Sequence, residues 1–381
     1  MKNKILYVYH TQPNTFSVQS GRPASIYNRM VEEYDVHFLN YKDAVYFVFS
    51  IAEKIFCKLF NKDFMTGRGR LSRMWIYLRI KIYLKLNKFT NTDIIFVPTS
   101  ACISSNWSKL KLRVVCCVDS LILGIAQLYP SYNIANLDAD IAFEINALKG
   151  VDVLFVPSEW AKQQALYLGF RGAVVVAPFG HNLPKPVILE HYKPKIGIKK
   201  IRFLSVMADW NRKGGDLLFE LGNKLVCLGY DIEFIIIGDC KNRPQLGSKN
   251  FNITFLGALD KSNPNEWSKF DNEFRRADIF IMPSKGEAYG MSIPEALHYG
   301  LPTIASSNGG IAVFNDFSSK CVMNLNSSVD VENVANWVNS LITSQDKIIE
   351  AKDEARALSE ALFNWDIWFE NFRLISEEDH P

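Results

Sequence analysis

Residues 279–310 read IFIMPSKGEAYGMSIPEALHYGLPTIASSNGG, and the order of residue types in this stretch decides the fold class. Four apolar residues, Ile279 to Met282, stop at Pro283 and Ser284, as a short strand buried on both faces does. A loop carrying Gly286, Glu287 and Gly290 follows. Ser292, Pro294 and Glu295 then open a short helix, with Ser292 placed to cap it and proline in its first turn. Gly300 ends that helix, and Leu301 to Ala305 read as the next strand. Strand, glycine-punctuated loop, helix and strand form a parallel α/β unit, with an anion-binding corner at the carboxyl end of the first strand.

The same grammar extends in both directions. Upstream, Ile201–Val206 is a strand that runs into Ala208-Asp209-Trp210-Asn211-Arg212-Lys213-Gly214-Gly215-Asp216, and a helix to about Leu228 follows. A guanidinium there can clasp phosphate oxygens in bidentate fashion, an ammonium adds a point charge, and glycines let the backbone come close. Asp231–Gly238 and Ile253–Gly257 are further strands, and Asn265 to Ala277 is helical. In the first half Ile5–Tyr9, Val36–Leu39, Ile94–Val97, Val114–Val118, Val153–Val156 and Val174–Ala177 are short apolar runs separated mostly by helix-like segments, which predicts a second parallel sheet. Asp119 and Ser120 fall at the end of one of these strands, where α/β proteins place their chemistry; capping a helix is the alternative use of Asp119. Ser158 reads as a helix cap and not as a nucleophile. Residues 183–199, proline- and lysine-rich without an apolar period, read as a linker. The tail from Val331 to Ser359 is helical, and Trp365, Trp368 and Phe369 share one helical face as core residues.

A chain of 381 residues suits two domains, and 48% hydrophobic against 22% charged residues is a globular composition. A net charge of +3 gives no footing for nucleic acid. The seven cysteines (57, 102, 116, 117, 227, 240 and 321) show no metal-ligand spacing and read as free thiols of a reducing cytoplasm. MKNKILYVYH reads as a first strand and not as a signal peptide, and no apolar run approaches the ~20 residues that span a bilayer. Residues 51–90 stand apart: ten Lys or Arg against Glu53 and Asp63 make this stretch +8 in a chain of +3, leaving −5 for the rest. Aromatics interleave with these cations. Three uses fit the pattern: the surface of an anionic membrane, a solvated basic face of two amphipathic helices, or the grip on an anionic soluble acceptor.

The Pro-Ser before the loop, Glu287, Gly290, Pro294-Glu295-Ala296, Gly300-Leu301-Pro302 and Gly309-Gly310 together resemble the signature of family 4 retaining glycosyltransferases. The resemblance implies an α/β chain of the GT-B fold: two Rossmann-like domains facing a cleft, with a C-terminal helix crossing back to the first. The divisions expected are 1–182 for the acceptor side, 183–199 for the linker, 200–360 for the nucleotide sugar and 361–381 for the returning helix. The activity implied is transfer of a sugar from a nucleoside diphosphate sugar, UDP- or GDP-linked, to an acceptor hydroxyl in polysaccharide, lipopolysaccharide or glycolipid assembly. No cofactor and no metal are expected. Asp138-Ala139-Asp140 has a metal-holding spacing but falls in a helix.

By the same resemblance Arg212 and Lys213 stabilise the departing diphosphate, Glu287 accepts from donor-sugar hydroxyls, Glu295 accepts from the ribose, and Asp119 faces the donor sugar or acceptor hydroxyl. Gly21, Gly214, Gly238, Asp239, Gly290, Met291 and Ser292 complete the expected donor-binding set. His181, in Pro-Phe-Gly-His-Asn, has two readings: a contact with the cleft, or a loop histidine exposed to solvent. One departure is plain: many members carry an arginine six residues before the lysine, and here that position is Met207. The partners implied are a nucleotide-sugar donor and a sugar or lipid-linked acceptor, in the cytoplasm or on the inner face of the membrane. A non-catalytic scaffold and a nucleotide-sugar epimerase are the alternatives on the same fold.

Overall fold

The computed structural model describes residues 3–12, 21–59, 69–129, 137–184, 200–243, 250–314 and 320–377. From residue 185 onward the expected linker lies outside them, as do 60–68 of the basic stretch. The chain divides into two compact units, one drawn from 1–15, 21–178 and 368–381, the other chiefly from 179–367.

The first unit runs β1 (Lys4–Tyr9), α1 (Arg22–Glu33), β2 (Asp35–Asn40), α2 (Ala44–Leu59), α3 (Arg70–Leu86), β3 (Ile94–Val97), β4 (Arg113–Cys117), α4 (Ile122–Leu128), α5 (Leu137–Leu148), β5 (Val153–Val156), α6 (Glu159–Tyr167) and β6 (Ala173–Val176). Its six strands are parallel in the order β2-β1-β3-β4-β5-β6. The central strands β3, β4 and β5 are buried at every position, whereas the edge strands β2 and β6 are only partly covered. This is why the central strands read as unbroken apolar runs: helices cover both faces of a parallel sheet, so no position is left for a polar alternate. Ser158 caps α6 through a hydrogen bond from Ala161 N. Asp138 and Asp140 lie in α5, as the sequence indicates.

The second unit runs β7 (Lys200–Val206), α7 (Gly215–Cys227), β8 (Asp231–Ile237), β9 (Asn252–Gly257), α8 (Pro264–Arg276), β10 (Ile279–Met282), α9 (Ser292–His298), β11 (Thr303–Ala305), β12 (Val322–Asn324), α10 (Val331–Thr343) and α11 (Gln345–Leu362). All six strands are again parallel, in the order β12-β11-β10-β7-β8-β9. The order doubles back between β7 and β10, so the loops after these two strands open side by side. That reversal is the topological switch point, where open α/β sheets bind their ligands.

Two local readings are corrected. Ser292 does not cap α9; it is the first helical residue, Met291 before it is already helical in backbone, and the Ser292 hydroxyl turns to Met282 Sδ at 3.3 Å. The tail is two helices and not one, because Ser344 leaves helical geometry and its side chain accepts from Lys347 N, capping α11.

The last helix, α12 (Trp365–Glu377), packs into the first unit from Trp368 onward. Trp368, fully buried, meets Phe155 at 4.7 Å between ring centres, and Phe372 meets Tyr34 edge-on at 5.6 Å. Arg373 clasps both oxygens of Glu33 at 2.6 and 2.7 Å. Trp365 keeps company with the second unit instead, donating to the carbonyl of His181 at 3.0 Å and stacking on Phe179. Of the six cysteines whose side chains are described, five are buried and all are free thiols.

Candidate active site

The turn after β7 is built on Asp209. Its Oδ1 accepts from Arg212 N at 2.8 Å and its carbonyl from Lys213 N at 3.0 Å, while Oδ2 accepts from Asn242 at 2.7 Å. The turn closes at Gly214, whose φ of 73° and whose approach to the Pro283 carbonyl (2.0 Å from where a Cβ would stand) admit no side chain. α7 starts there, so Arg212 and Lys213 stand just ahead of the first turn of a thirteen-residue helix.

The loop after β10 arrives opposite. Lys285 N donates to Arg212 O at 2.8 Å, which locks one loop onto the other. Glu287 is held by its backbone, donating to Asn308 O at 3.3 Å and accepting from Gly310 N at 3.0 Å. Its carboxylate meets both cations: Arg212 Nη1 at 3.2 Å, and Lys213 Nζ in a close ion pair. Arg212 also donates to Gly286 O at 3.2 Å. The three side chains are 15%, 10% and 12% exposed, so water screens their charges far less than it would on the surface. Burial by itself would raise the Glu287 carboxyl, but Lys213 and Arg212 outweigh it and hold the group below the ordinary carboxylate range. Two cations on one anion leave a net positive charge at the mouth of the switch point, which is what a diphosphate needs.

Glu295 sits eight residues on, in the first turn of α9, and behaves in the opposite way. It is 3% exposed and pairs with Lys261, which also donates to Asn182 O at 3.2 Å. Burial dominates here, and the Glu295 carboxyl is raised despite Lys261 and the Asn182 backbone. Beside the pair, His298 of α9 lies against His181, ring centres 3.9 Å apart and planes tilted by 35°. Lys261, Asn182 and His298 carry no mark in the sequence; a lysine in a Ser/Asn/Pro-rich turn reads as a solvated charge.

The remaining expected residues are placed as follows. Gly290 is buried with φ 84°, and Met291 and Ser292 are half-buried. Gly238, with φ 123°, lies against the Met207 carbonyl, and Asp239 after it is exposed and accepts from Ala258 N at 3.3 Å. Met207 itself is fully buried core. In the first unit Gly21, with φ 85°, precedes α1, and buried Arg22 just after it donates to Pro98 O at 3.2 Å. Arg22 Nη1 also stands 3.6 Å from Asp119, whose side chain is 48% exposed beyond the end of β4. Asp119 does not cap α4, whose cap position is Leu121. Arg22 was legible only as a residue next to a glycine at a helix start. Among the described residues no group of three or more His, Cys, Asp and Glu is arranged to hold a metal ion.

Two parallel six-stranded α/β units, a terminal helix shared with the first, and a cationic cluster at the switch point of the second define the GT-B class of glycosyltransferase folds. Residues 198–344, the greater part of the second unit, match the model of the family described as glycosyl transferases group 1. Protein CapJ of Staphylococcus aureus is 35% identical over 104 residues, 26% of this chain and 25% of that protein. Putative glycosyltransferase 45 of Sulfolobus islandicus filamentous virus is 27% identical over 182 residues, 47% of this chain and 48% of that protein. The chain thus spans between a quarter and a half of the length of these relatives. Among solved structures, a glycosyltransferase from Rickettsia africae ESF-5 matches with a TM-score of 0.66 at 17% identity, over 99% of this chain and 98% of that one. WaaG, a glycosyltransferase involved in lipopolysaccharide biosynthesis, matches with a TM-score of 0.62 at 14% identity, over 98% and 100%. Anabaena HepE in complex with UDP and glucose matches with a TM-score of 0.60 at 14% identity, over 99% and 100%.

Proposed function

We propose that the chain is a retaining glycosyltransferase that moves a sugar from a nucleoside diphosphate sugar to an acceptor hydroxyl. The observation that carries this reading is the convergence of Arg212, Lys213 and Glu287 at the switch point of the second unit. As the bond between the anomeric carbon and the β-phosphate oxygen breaks, negative charge grows on the diphosphate. Arg212 and Lys213 would meet it with charge-assisted hydrogen bonds of ~1.5–3 kcal/mol each, so the leaving group needs no metal ion. Glu287, an acceptor at both oxygens, takes hydroxyls of the donor sugar, and Glu295 takes the ribose. The acceptor oxygen bonds to the same face of the anomeric carbon, and its proton passes to the departing phosphate oxygen. The second unit is the nucleotide-sugar side and the first the acceptor side, where Asp119, braced by Arg22, is the candidate to meet the acceptor hydroxyl. HepE is solved with UDP and UDP-glucose, and WaaG is involved in lipopolysaccharide biosynthesis; UDP or GDP donors and a cell-surface glycan or glycolipid product follow by analogy.

The test is a donor screen by mass spectrometry, with UDP- and GDP-sugars, lipid-linked and free acceptors, and chelator throughout, the product anomer being read by NMR. An acceptor-linked product of retained configuration supports the reading. Nucleotide binding without turnover would favour a scaffold, and a changed nucleotide sugar without acceptor consumption would favour an epimerase.

A specific observation supports an anionic membrane surface as a further partner. α2 and α3 expose large apolar side chains that neighbouring elements leave uncovered: Val48, Ile55 and Leu59 on one, Leu78, Ile82 and Leu86 on the other. Lys54, Lys58, Arg70, Lys81 and Lys85 are exposed on the same helices, whereas Arg79 is engaged by Asp43 and Arg73 lies over Phe143. Apolar rows flanked by exposed cations suit anionic lipid, at ~1 kcal/mol per cation near the surface. Among the described residues no helix is long and apolar enough to cross a membrane. Co-sedimentation with phosphatidylglycerol vesicles that falls with salt and with Leu78→Glu is the expected result; binding indifferent to lipid charge overturns it.

A further inference from the structure

Glu295 is 3% exposed and Lys261 11%, so the lysine and not the glutamate is the better exposed member of their ion pair. Lys261 comes from the turn between β9 and α8, Glu295 from α9, and Asn182 from the segment that leads into the second unit. The lysine joins all three: its ammonium bonds Glu295 Oε1 and the Asn182 carbonyl, and it lies 5.0 Å from the centre of the Phe270 ring. Asn182 is fully buried.

A buried ion pair is a poor way to add stability, because desolvating both charges offsets most of their attraction. It is a good way to keep a carboxylate charged and aimed under cover. A carboxylate accepts at about four lone-pair sites; Lys261 takes a position on Oε1 and the Asn182 backbone takes another, leaving acceptor capacity for a neighbouring diol. The ammonium offers three donors and spends two on Glu295 and Asn182, so one remains for a hydroxyl oxygen. Donor and acceptor side by side match two adjacent hydroxyls, each of which both gives and takes a hydrogen bond.

We infer that Lys261 positions Glu295 and that the two recognise the vicinal ribose hydroxyls of the donor nucleotide as one unit. The inference rests on the ribose assignment of Glu295. The lysine acts both by holding Glu295 and by its remaining donor: its effect shows in how the site tells ribose from deoxyribose, and a lysine that merely staples the fold would leave that discrimination alone.

The experiment is calorimetry with the full chain, comparing UDP and GDP with their 2′-deoxy counterparts in the wild type, Lys261→Met, Lys261→Arg, Glu295→Gln and the Lys261→Met/Glu295→Gln double variant. Thermal melts accompany each, and Lys261→Gln replaces the methionine variant if that one does not fold. The wild type is expected to favour the ribonucleotide by about tenfold or more, the scale of a hydrogen bond to a charged group. Lys261→Met should reduce the preference to about twofold, Lys261→Arg should keep most of it, and the double variant should match the single ones, as coupled residues do. A preference unchanged in Lys261→Met overturns the inference. A wild type that binds nucleotide but shows no preference overturns the ribose assignment instead, and with it this inference; binding of neither nucleotide overturns the nucleotide reading as a whole.

Discussion

Lys213 and Glu287 are 74 residues apart in the chain and form an ion pair across the switch point of the second sheet, with Arg212 on the same carboxylate oxygen. The carboxylate proposed to take the donor sugar therefore offsets part of the charge proposed to take the leaving diphosphate. Binding the donor must exchange that internal carboxylate for phosphate oxygens, and the exchange gives each residue a distinct signature on mutation.

Lys213→Ala should lower turnover by ~10²–10³, the scale for removing one preorganised group that meets developing charge. The effect should fall on kcat more than on KM, because the charge it meets is largest in the transition state. Steady-state kinetics with a saturating acceptor check this, and turnover within a few-fold of wild type rejects the phosphate assignment.

Glu287→Gln should separate binding from chemistry. Losing the carboxylate leaves Arg212 and Lys213 without their internal counter-ion, so the nucleoside diphosphate should bind roughly three- to tenfold tighter. Turnover should fall nonetheless, because the sugar hydroxyls keep only one, uncharged acceptor oxygen. Titration calorimetry with UDP and GDP reads the first effect; affinity equal to or weaker than wild type contradicts the internal counter-ion.

Acid stability should carry the mark of His181. Burial first, then His298 beside it and Lys261 nearby, bring this imidazole down from 6.5 to about 3. The folded state therefore resists a proton that the unfolded chain accepts, and the stability His181 confers is complete above about pH 6.5 and drains away as pH falls toward 3. The stability difference between wild type and His181→Gln, from urea unfolding at a series of pH values, should rise with pH across that window and stay flat above it. A difference flat throughout would mean that the imidazole is not shielded.

Trp368→Ala should destabilise the first unit by about 3–5 kcal/mol, the usual cost of emptying a fully buried aromatic site. Arg373→Ala, which removes a partly exposed clasp on Glu33, should cost far less. Denaturant midpoints of the two variants give the comparison, and equal costs would mean that α12 is held by charge and not by its aromatic face.

Strands were legible wherever burial is complete. Ile94–Val97, Val153–Val156 and Ile279–Met282 stand in the structure at the limits their apolar runs suggest, because a strand covered on both faces has no polar position to blur its ends. Glu287, Lys213 and Arg212 were legible as a set because they belong to a recognisable pattern, although their mutual ion pairing was not. Lys261 was illegible: its pairing with Glu295 depends on α9 coming to rest beside the β9–α8 turn, and nothing local distinguishes it from an exposed lysine. The break at Ser344 was missed because no proline or glycine announces it; a serine three residues before the amide it caps is the fainter sign. At Ser292 the same kind of sign misled, since the helical backbone already begins at Met291.

The adjacency of β7 and β10 has a kinetic side. Ser205 reaches across to the Ile281 carbonyl at 2.6 Å over a separation of 76 residues, and β8, β9 and α8 are all strung between the two strands. Closing so long a loop costs entropy before any contact repays it, so this pairing belongs among the slow, late events of folding. A nascent chain would hold β7 and β8 together well before β10 joins them, and the side chains of Arg212 and Lys213 would wait for Glu287.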